Sequence, residues 1–188
     1  YMYAEGFYDM RAESWITAHV NAFSFFGGST PILVPDNLKT GVTKNTVAEL
    51  VVNDRYRLMA EYYGTAVVPA RPRKPKDKGA VEMSVGVIER RAIAALRNRR
   101  FMSLRDLNKA LLGRAQAINS APFQRRDGSR ESIFLGQEKG LLIPLPAQPY
   151  AMTTRKAATV NSNYHVAFDR AWYSVPFTYA NKAVEAEA

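Results

Sequence analysis

Apolar residues recur at three- and four-residue intervals along several segments, which is the pattern of helices that bury one side. The first segment extends from Ala12 to Phe26, and Gly27 and Gly28 end it. The same spacing predicts further helices over residues 46–62, 78–98 and 104–119. We expect the hydroxyl of Ser103 to cap the last of these helices.

Short apolar runs separate the helical segments in the first half of the chain. Residues 1–8, 32–34 and 65–68 have the composition of strands, so that strands and helices alternate along this half. The alternation predicts an α/β sandwich in which helices pack on a sheet.

The last third of the chain has a different pattern. Prolines punctuate residues 144–149, and β-like runs follow at residues 157–160, 165–168 and 172–176. This change indicates a small β-barrel or meander. We predict an α/β domain with its following helices over residues 1–125, a linker over 126–150 and a partial β-barrel over 151–188.

Charge is concentrated in the middle of the chain. The 188 residues carry a formal net charge of +9. Residues 66–130 hold 16 Lys and Arg against 5 Asp and Glu, whereas the remainder holds 10 against 12. A local excess of this size favours a polyanionic partner, in the first place nucleic acid. The alternative is a solvated basic surface without a partner.

The composition also excludes several kinds of site. The sequence has no cysteine, which rules out disulfides, thiolate catalysis and a cysteine-based zinc site within it. His19 and His165 are far apart, and isolated histidines are more often packed or solvated than ligands. No stretch is apolar and long enough to span a membrane, and no export signal stands at the start, so we expect a cytoplasmic protein.

Two carboxylates are candidates for chemistry. Asp36 follows the apolar run 32–34 in a Pro-Asp-Asn sequence, which is typical of a turn but also places a carboxylate at the end of a strand. Glu82 lies near the start of the helix predicted from residue 78, where an acid also suits the helix dipole. If both carboxylates meet at one rim of the sheet, they could hold Mg²⁺ or Mn²⁺ together with a substrate phosphate.

Four stretches of the sequence resemble a known family, the IstA-type insertion-sequence transposases. In chain order they are SWITAHVNAFSFFGGSTPILVPDNLKTGV, YGTAVVPARPRKPKDKGAVE, ALRNRRFMSLRDLN and YHVAFDRAWYSVPF. The family belongs to the DDE transposases and retroviral-integrase-like enzymes. The resemblance implies an α/β fold with a ribonuclease-H-like core, incomplete at its N-terminus, followed by a small β-barrel.

The resemblance also implies a catalytic site of two aspartates and one glutamate that bind Mg²⁺ or Mn²⁺. By motif, the second aspartate falls on Asp36 and the glutamate on Glu82. The first would precede Tyr1, and Asp9 does not match its motif. We therefore expect an internal fragment of a longer transposase, inactive by itself. Relatives often carry basic residues one and two turns after the glutamate, where this chain has Gly86 and Glu89.

The predicted DNA contacts lie mainly in the basic loop before Glu82. We expect binding without strong sequence preference by eight residues: Lys39, Arg71, Arg73, Lys74, Lys76, Lys78, Arg97 and Arg100. Arginines also crowd the far end of the helix predicted over residues 78–98, which suits both the helix dipole and phosphate.

The function implied by the resemblance is metal-dependent DNA cleavage and strand transfer during transposition. The implied partners are transposon-end and target DNA, further copies of the chain and a helper AAA+ ATPase, in a bacterial, nucleoid-associated setting. Two alternatives stay open. The chain could be a non-catalytic DNA-binding or assembly module, or a nuclease of the same fold that lacks strand transfer.

Overall fold

A computed structural model describes residues 1–35, 42–45, 50–68, 79–153 and 155–187. For residues 42–45, 50–52, 79–82, 155 and 187 it describes the backbone alone. The chain divides into two compact units, Tyr1–Tyr150 and Ala151–Ala188. Among the described residues, no helix is both long and apolar enough to cross a bilayer.

In its described residues, the first unit is mainly helical, with two small pairs of strands. Strands β1 and β4 pair in parallel, and β2 and β3 pair antiparallel. The elements are α1 (Ala12–Phe26), β1 (Ile32–Leu33), β2 (Val42–Asn45), β3 (Leu50–Val52), α2 (Asp54–Tyr62), β4 (Ala66–Val67), α3 (Gly79–Ile88), a first π-helical turn (Glu89–Ile93), α4 (Ala94–Leu96), α5 (Leu104–Ser120), α6 (Arg130–Ile133), a second π-helical turn (Phe134–Glu138) and a 3₁₀ turn (Lys139–Leu141).

Helix α1 has the predicted bounds, and its apolar stripe forms the core of this unit. Gly27 ends the helix with a φ of 74°, a left-handed conformation that glycine adopts without a steric cost. The helix packs against α2 through a cluster of fully or nearly buried side chains. Its members are Ile16, Phe23, Tyr56, Met59 and Tyr63.

The predicted helix over residues 46–62 is wrong in its first part. Strand β3 occupies residues 50–52, and α2 begins only after Asn53. The side-chain oxygen of Asn53 accepts hydrogen bonds from the backbone N–H groups of Arg55 and Tyr56, which are otherwise without helical partners at a helix start. The apolar spacing across residues 46–52 suits a strand as well as a helix, and the cap sets the boundary.

The opening segment, predicted as a strand, forms no strand ladder with the other residues that the structure describes. Its extended backbone is instead bound by two asparagine side chains of α5. Asn119 accepts from the N–H of Met2 at 2.9 Å and donates to its carbonyl at 2.7 Å. Asn108 does the same for Gly6, at 2.8 and 3.0 Å. The strand-like sequence therefore pairs with side-chain amides rather than with another backbone.

The helix predicted over residues 78–98 is interrupted by one π-helical turn. The N–H of Ala94 donates to the carbonyl of Glu89, five residues earlier, instead of to residue 90. Such single turns insert one extra residue into a helix and occur frequently at functional sites. Ala92 of this turn is buried, while Arg90 and Arg91 face solvent.

Residues 126–150, predicted as a linker, lie within the first unit. Ser29 and Ile143 exchange both backbone hydrogen bonds, at 3.0 and 2.8 Å, and Ser29 is fully buried. The N–H of Tyr150 donates to the Tyr63 hydroxyl at 3.0 Å. Phe134 stacks on Tyr1, with ring centroids 4.4 Å apart. The prolines at 144–149 thus interrupt regular structure without releasing the segment from the core.

In its described residues, the second unit has four short strands and one 3₁₀ turn (Phe177–Tyr179). The strands are β5 (Arg155–Thr159), β6 (His165–Phe168), β7 (Ala171–Ser174) and β8 (Ala183–Glu187). Strand β5 pairs antiparallel with β8, and β6 pairs antiparallel with β7. Asp169 and Arg170 join β6 to β7 with φ values of 45° and 63°, as a two-residue hairpin turn requires.

The fold class agrees with the prediction in its mixture of helices and strands. The described strands form four two-stranded sheets, so neither a continuous sandwich sheet nor a closed barrel is established by them. The parallel pair β1–β4 joins the two runs at residues 32–34 and 65–68 that were predicted as strands.

Candidate nucleic-acid interface

The predicted carboxylate site is incompletely described. Asp36 lies outside the described residues, and Glu82 is described through its backbone in α3. Their approach at one rim of a sheet therefore stays a prediction. Most of the predicted DNA contacts also lie outside the described residues. They are Lys39, Arg71, Arg73, Lys74, Lys76 and Lys78.

Two predicted DNA contacts are in the described part of the chain. Arg97 follows α4 directly and lines a surface cavity of about 540 Å³ between the first π-helical turn and α5. Arg100 is exposed in the connection to α5. Three further arginines line the same cavity, namely Arg90, Arg91 and Arg114.

A second cavity of about 440 Å³ lies beside the first and shares Arg90 and Arg91 with it. Its other wall is the loop between α5 and α6, which contributes Arg125, Arg126 and Arg130. We call the two cavities together the arginine groove. Its described lining contains seven arginines and no carboxylate. This concentration of positive charge is the footprint expected for a polyanion.

Among the described residues, the groove arginines have no carboxylate partner, in contrast to arginines elsewhere in the chain. In the described part of the molecule, the ion pairs within 4.0 Å all involve Arg11, Arg55 or Arg57, at the starts of α1 and α2. Arg114 donates to the backbone carbonyl of Arg91 at 3.1 Å, which ties α5 to the π-helical turn without neutralising either charge.

Aromatic rings hold some of the unpaired arginines in place of carboxylates. The guanidinium carbon of Arg126 lies 4.0 Å from the ring centroid of Phe123, and that of Arg130 lies 5.7 Å from the same centroid. Arg99 lies 5.3 Å from the ring centroid of Phe101. These distances are in the range of cation–π attraction.

The loop that carries Phe123 is closed by backbone pairing. Pro122 and Ser129 form an antiparallel bridge, and the N–H of Phe123 donates to the carbonyl of Gly128 at 2.9 Å. Gly128 has a φ of 87°, a region that favours glycine. Ser129 then caps α6 in a reciprocal arrangement with Ser132. Phe123 is therefore fixed relative to the start of α6.

Gly86, one helical turn after Glu82, is covered by an arginine from the next turn. A Cβ atom at Gly86 would lie 3.1 Å from one terminal nitrogen of Arg90. The missing side chain thus leaves room for the Arg90 guanidinium one helical turn beyond Glu82. Glu89 is exposed at the first position of the π-helical turn.

The two histidines are engaged in hydrogen bonds within the fold. The Nδ1–H of His19 donates to the Trp15 carbonyl at 2.8 Å, and its Nε2 accepts from the Tyr56 hydroxyl at 3.1 Å. Burial lowers the pKa of His19, although the bond to Trp15 opposes this shift. His165 contacts Asn163 and Ser174. Within the described ranges, no cluster of three or more potential ligands could hold a metal ion.

Sequence reasoning found part of the groove. The charge excess over residues 66–130 covers every groove arginine, and the helix predicted over residues 78–98 carries arginines at its far end. The sequence did not indicate that Arg114, Arg126 and Arg130 line the groove, because their meeting depends on how α5 and its following loop fold back. The loop sequence PFQRRDGS contains the signals of a tight turn, which could have indicated a fixed arginine pair.

Comparisons with known proteins agree with the resemblance seen in the sequence. The family described as Mu transposase, C-terminal domain, matches residues 145–188. The chain is 44% identical over 172 residues to the transposase y4uI of Sinorhizobium fredii. This match covers 91% of this chain and 34% of that protein. It is also 39% identical over 170 residues to the transposase for insertion sequence IS408 of Burkholderia multivorans. That match covers 90% of this chain and 33% of that protein.

One solved structure extends the comparison to the fold. A chain of the cryo-EM structure of the simian T-cell lymphotropic virus intasome in complex with the PP2A regulatory subunit B56 gamma has a TM-score of 0.53 to this chain. The two are 14% identical, and the match covers 94% of this chain and 66% of that one. The predicted resemblance to insertion-sequence transposases is confirmed, and the fold fits the integrase-like class. The chain spans about a third of the length of the curated relatives it matches.

Proposed function

We propose that this chain, a relative of insertion-sequence transposases, contributes part of the catalytic core and the following region of a DNA transposase. The proposed reaction is metal-dependent cleavage of DNA and transfer of the cut strand to a target. The observation that carries the proposal is sequence identity of 44% over 91% of the chain to a protein named as a transposase.

In this proposal, Asp36 and Glu82 bind Mg²⁺ or Mn²⁺, whose preferred ligands are carboxylate and phosphate oxygens. The metal would supply activation of the attacking oxygen and stabilisation of the leaving oxygen in an in-line displacement. The chain's own basic residues hold the DNA backbone, with Arg71, Arg73 and the neighbouring lysines on one side of Glu82 in sequence and the arginine groove on the other.

The implied assembly is also part of the proposal. Transposon-end and target DNA, further copies of the protein and a helper AAA+ ATPase are its proposed partners, at the nucleoid of a bacterial cell.

A non-catalytic DNA-binding module is the second candidate, and the arginine groove favours it. The groove alone would account for DNA binding, because it needs no metal and none of the acidic residues. A nuclease of the same fold is distinguished from the transposase by the absence of strand joining.

The test uses the complete protein that contains this chain, on supercoiled DNA that carries the ends of its element. We expect strand-transfer products that depend on Mg²⁺ or Mn²⁺, and Asp36→Asn or Glu82→Gln to reduce them roughly 100-fold or more while DNA binding is retained. Cleaved but unjoined DNA would identify a nuclease. DNA binding without any product in the wild-type protein would identify a binding module.

A further inference from the structure

The arginines around Phe123 are held in an unusual way for exposed arginines. A carboxylate partner fixes a guanidinium by occupying some of its N–H donors, whereas an aromatic ring contacts the guanidinium face and leaves the donors in its plane free. Arg126 is held in this second way, and Arg130 lies near the same ring. The arrangement orders two positive charges and keeps both available for an external acceptor.

The platform for these arginines is rigid. The bridge between Pro122 and Ser129 closes the loop, and the capped start of α6 fixes Arg130 at its first residue. Phe123 is half-buried. Ordering a side chain before binding reduces the entropy lost on binding.

The charge of the groove indicates an extended ligand. The cavity beside Phe123 is lined by Arg90, Arg91, Arg125, Arg126 and Arg130, and no carboxylate is among its described lining residues. A single phosphate or nucleotide would leave most of this charge uncompensated, whereas a polymer backbone presents one phosphate after another. The adjoining cavity continues the same positive surface past Arg97 and Arg114.

The chemistry of the walls favours backbone contacts over base contacts. Sites for single strands combine basic grooves with exposed aromatic rings on which bases stack. In the described lining of this cavity, Phe123 is the sole aromatic residue, and Arg126 lies over its ring. The ring is thus engaged by an arginine rather than free for a base.

We propose that Phe123 is a positioning residue that holds Arg126 and Arg130 for neighbouring phosphates of duplex DNA, with Arg90 and Arg91 binding the same backbone within the arginine groove. The inference rests on the proposed function for the choice of DNA as the polyanion. It assigns the contacts to a surface separate in sequence from the basic loop before Glu82.

The test is a titration of a short fluorescent DNA duplex of arbitrary sequence with the complete protein that contains this chain, at several salt concentrations. We expect R126Q to reduce the slope of log affinity against log salt by about 0.9, since one phosphate contact is lost. The matched control is R57Q, which removes the same charge from an arginine already paired with Asp54 and Glu61, and should leave the slope unchanged.

Variants of the ring separate positioning from charge. F123L should weaken duplex binding about two- to five-fold without changing the slope, because all charges remain and only the platform is lost. F123Y should restore wild-type affinity. R126K keeps the charge but stacks less well, so it should behave like F123L. Circular dichroism establishes whether each variant is folded. If F123L is not folded, the duplex affinity of R126K alone tests whether the contact between Arg126 and the ring matters.

Two results would overturn the proposal. Wild-type affinity in both F123L and R126K would show that the ring positions nothing. A much greater loss for the matching single strand than for the duplex in F123L would show that the ring stacks on a base instead. Because the duplex titration measures binding alone, a failure of strand transfer in the complete protein would leave these expectations standing.

Discussion

Two regions of the first unit treat their charged and polar groups in opposite ways. Around α1 and α2, arginines meet carboxylates: Arg55 pairs with Glu13, and Arg57 pairs with Asp54 and Glu61. In the arginine groove, the arginines contact rings, a carbonyl or solvent, and have no carboxylate partner among the described residues. Carboxylates thus neutralise arginines in one part of this unit. The unpaired positive charge is specific to the surface of the groove.

The largest expected effect concerns the hydrogen bonds between α5 and the backbone of the opening segment. Asn119 is fully buried and exchanges two hydrogen bonds with Met2. Asn119→Leu should lower the free energy of unfolding by about 3 kcal/mol, because it leaves the N–H and carbonyl of Met2 without partners. Urea denaturation monitored by circular dichroism measures the change.

Asn108→Leu is the matched control, since Asn108 makes the same two bonds to Gly6 but is only half-buried. Water can replace its bonds, so the expected loss is about 1 kcal/mol. Equal losses in the two variants would mean that burial does not set the strength of these pairings.

A pH titration gives the next largest effect. The pKa of His19 is lowered by burial, so the unfolded chain binds a proton more readily than the folded chain below about pH 6.5. Stability should be constant with respect to His19 above that pH and should fall on acidification, by at most about 1.4 kcal/mol per pH unit.

Urea denaturation between pH 7.5 and roughly pH 5.5, a window around the ordinary histidine pKa, measures this dependence. His19→Gln should flatten it, while His165→Gln, at a half-buried position on β6, serves as the control. The same slope in wild type and His19→Gln would assign the dependence to other groups.

The smallest expected effect is a difference in stability between variants of one arginine from each region. The sign of the change in the free energy of unfolding should differ between them. Arg57→Gln should lower the free energy of unfolding by less than about 1 kcal/mol, as expected for exposed ion pairs. Arg91→Gln should leave it unchanged or raise it by a few tenths, because it relieves repulsion among the groove arginines. Thermal unfolding of both variants at low salt is the measurement, and a loss for Arg91→Gln as large as that for Arg57→Gln would erase the contrast.

Local patterns in the sequence predicted α1 and the capped start of α5 well. An amphipathic stripe ended by Gly27, and Ser103 before an apolar repeat, act within a few residues. Predictions failed where a distant partner decides. The opening segment has a strand-like sequence, but its partners Asn108 and Asn119 are more than 100 residues away.

The candidate site also has features that the local sequence predicts and features that depend on distant contacts. Charge counting located the basic region, which requires no knowledge of contacts. The stacking of Arg126 on Phe123, and the meeting of this loop with Arg91 across the groove, depend on how α5 turns back, and no periodicity contains that information. Asp36 and the basic loop remain sequence predictions.

The asparagine contacts of α5 have a consequence for how the opening segment can vary. Asn119 and Asn108 stand eleven positions apart on a rigid helix, and they bind backbone groups at Met2 and Gly6, four positions apart. Because they read backbone amides, most side chains of the segment can be exchanged without touching these contacts. Its length cannot change in the same way, since one residue inserted between Met2 and Gly6 would shift the second contact to the opposite edge of the extended chain. Helix α5 therefore fixes the number of residues between the two contacts, so the opening segment can accept substitutions but not the insertion or deletion of a single residue.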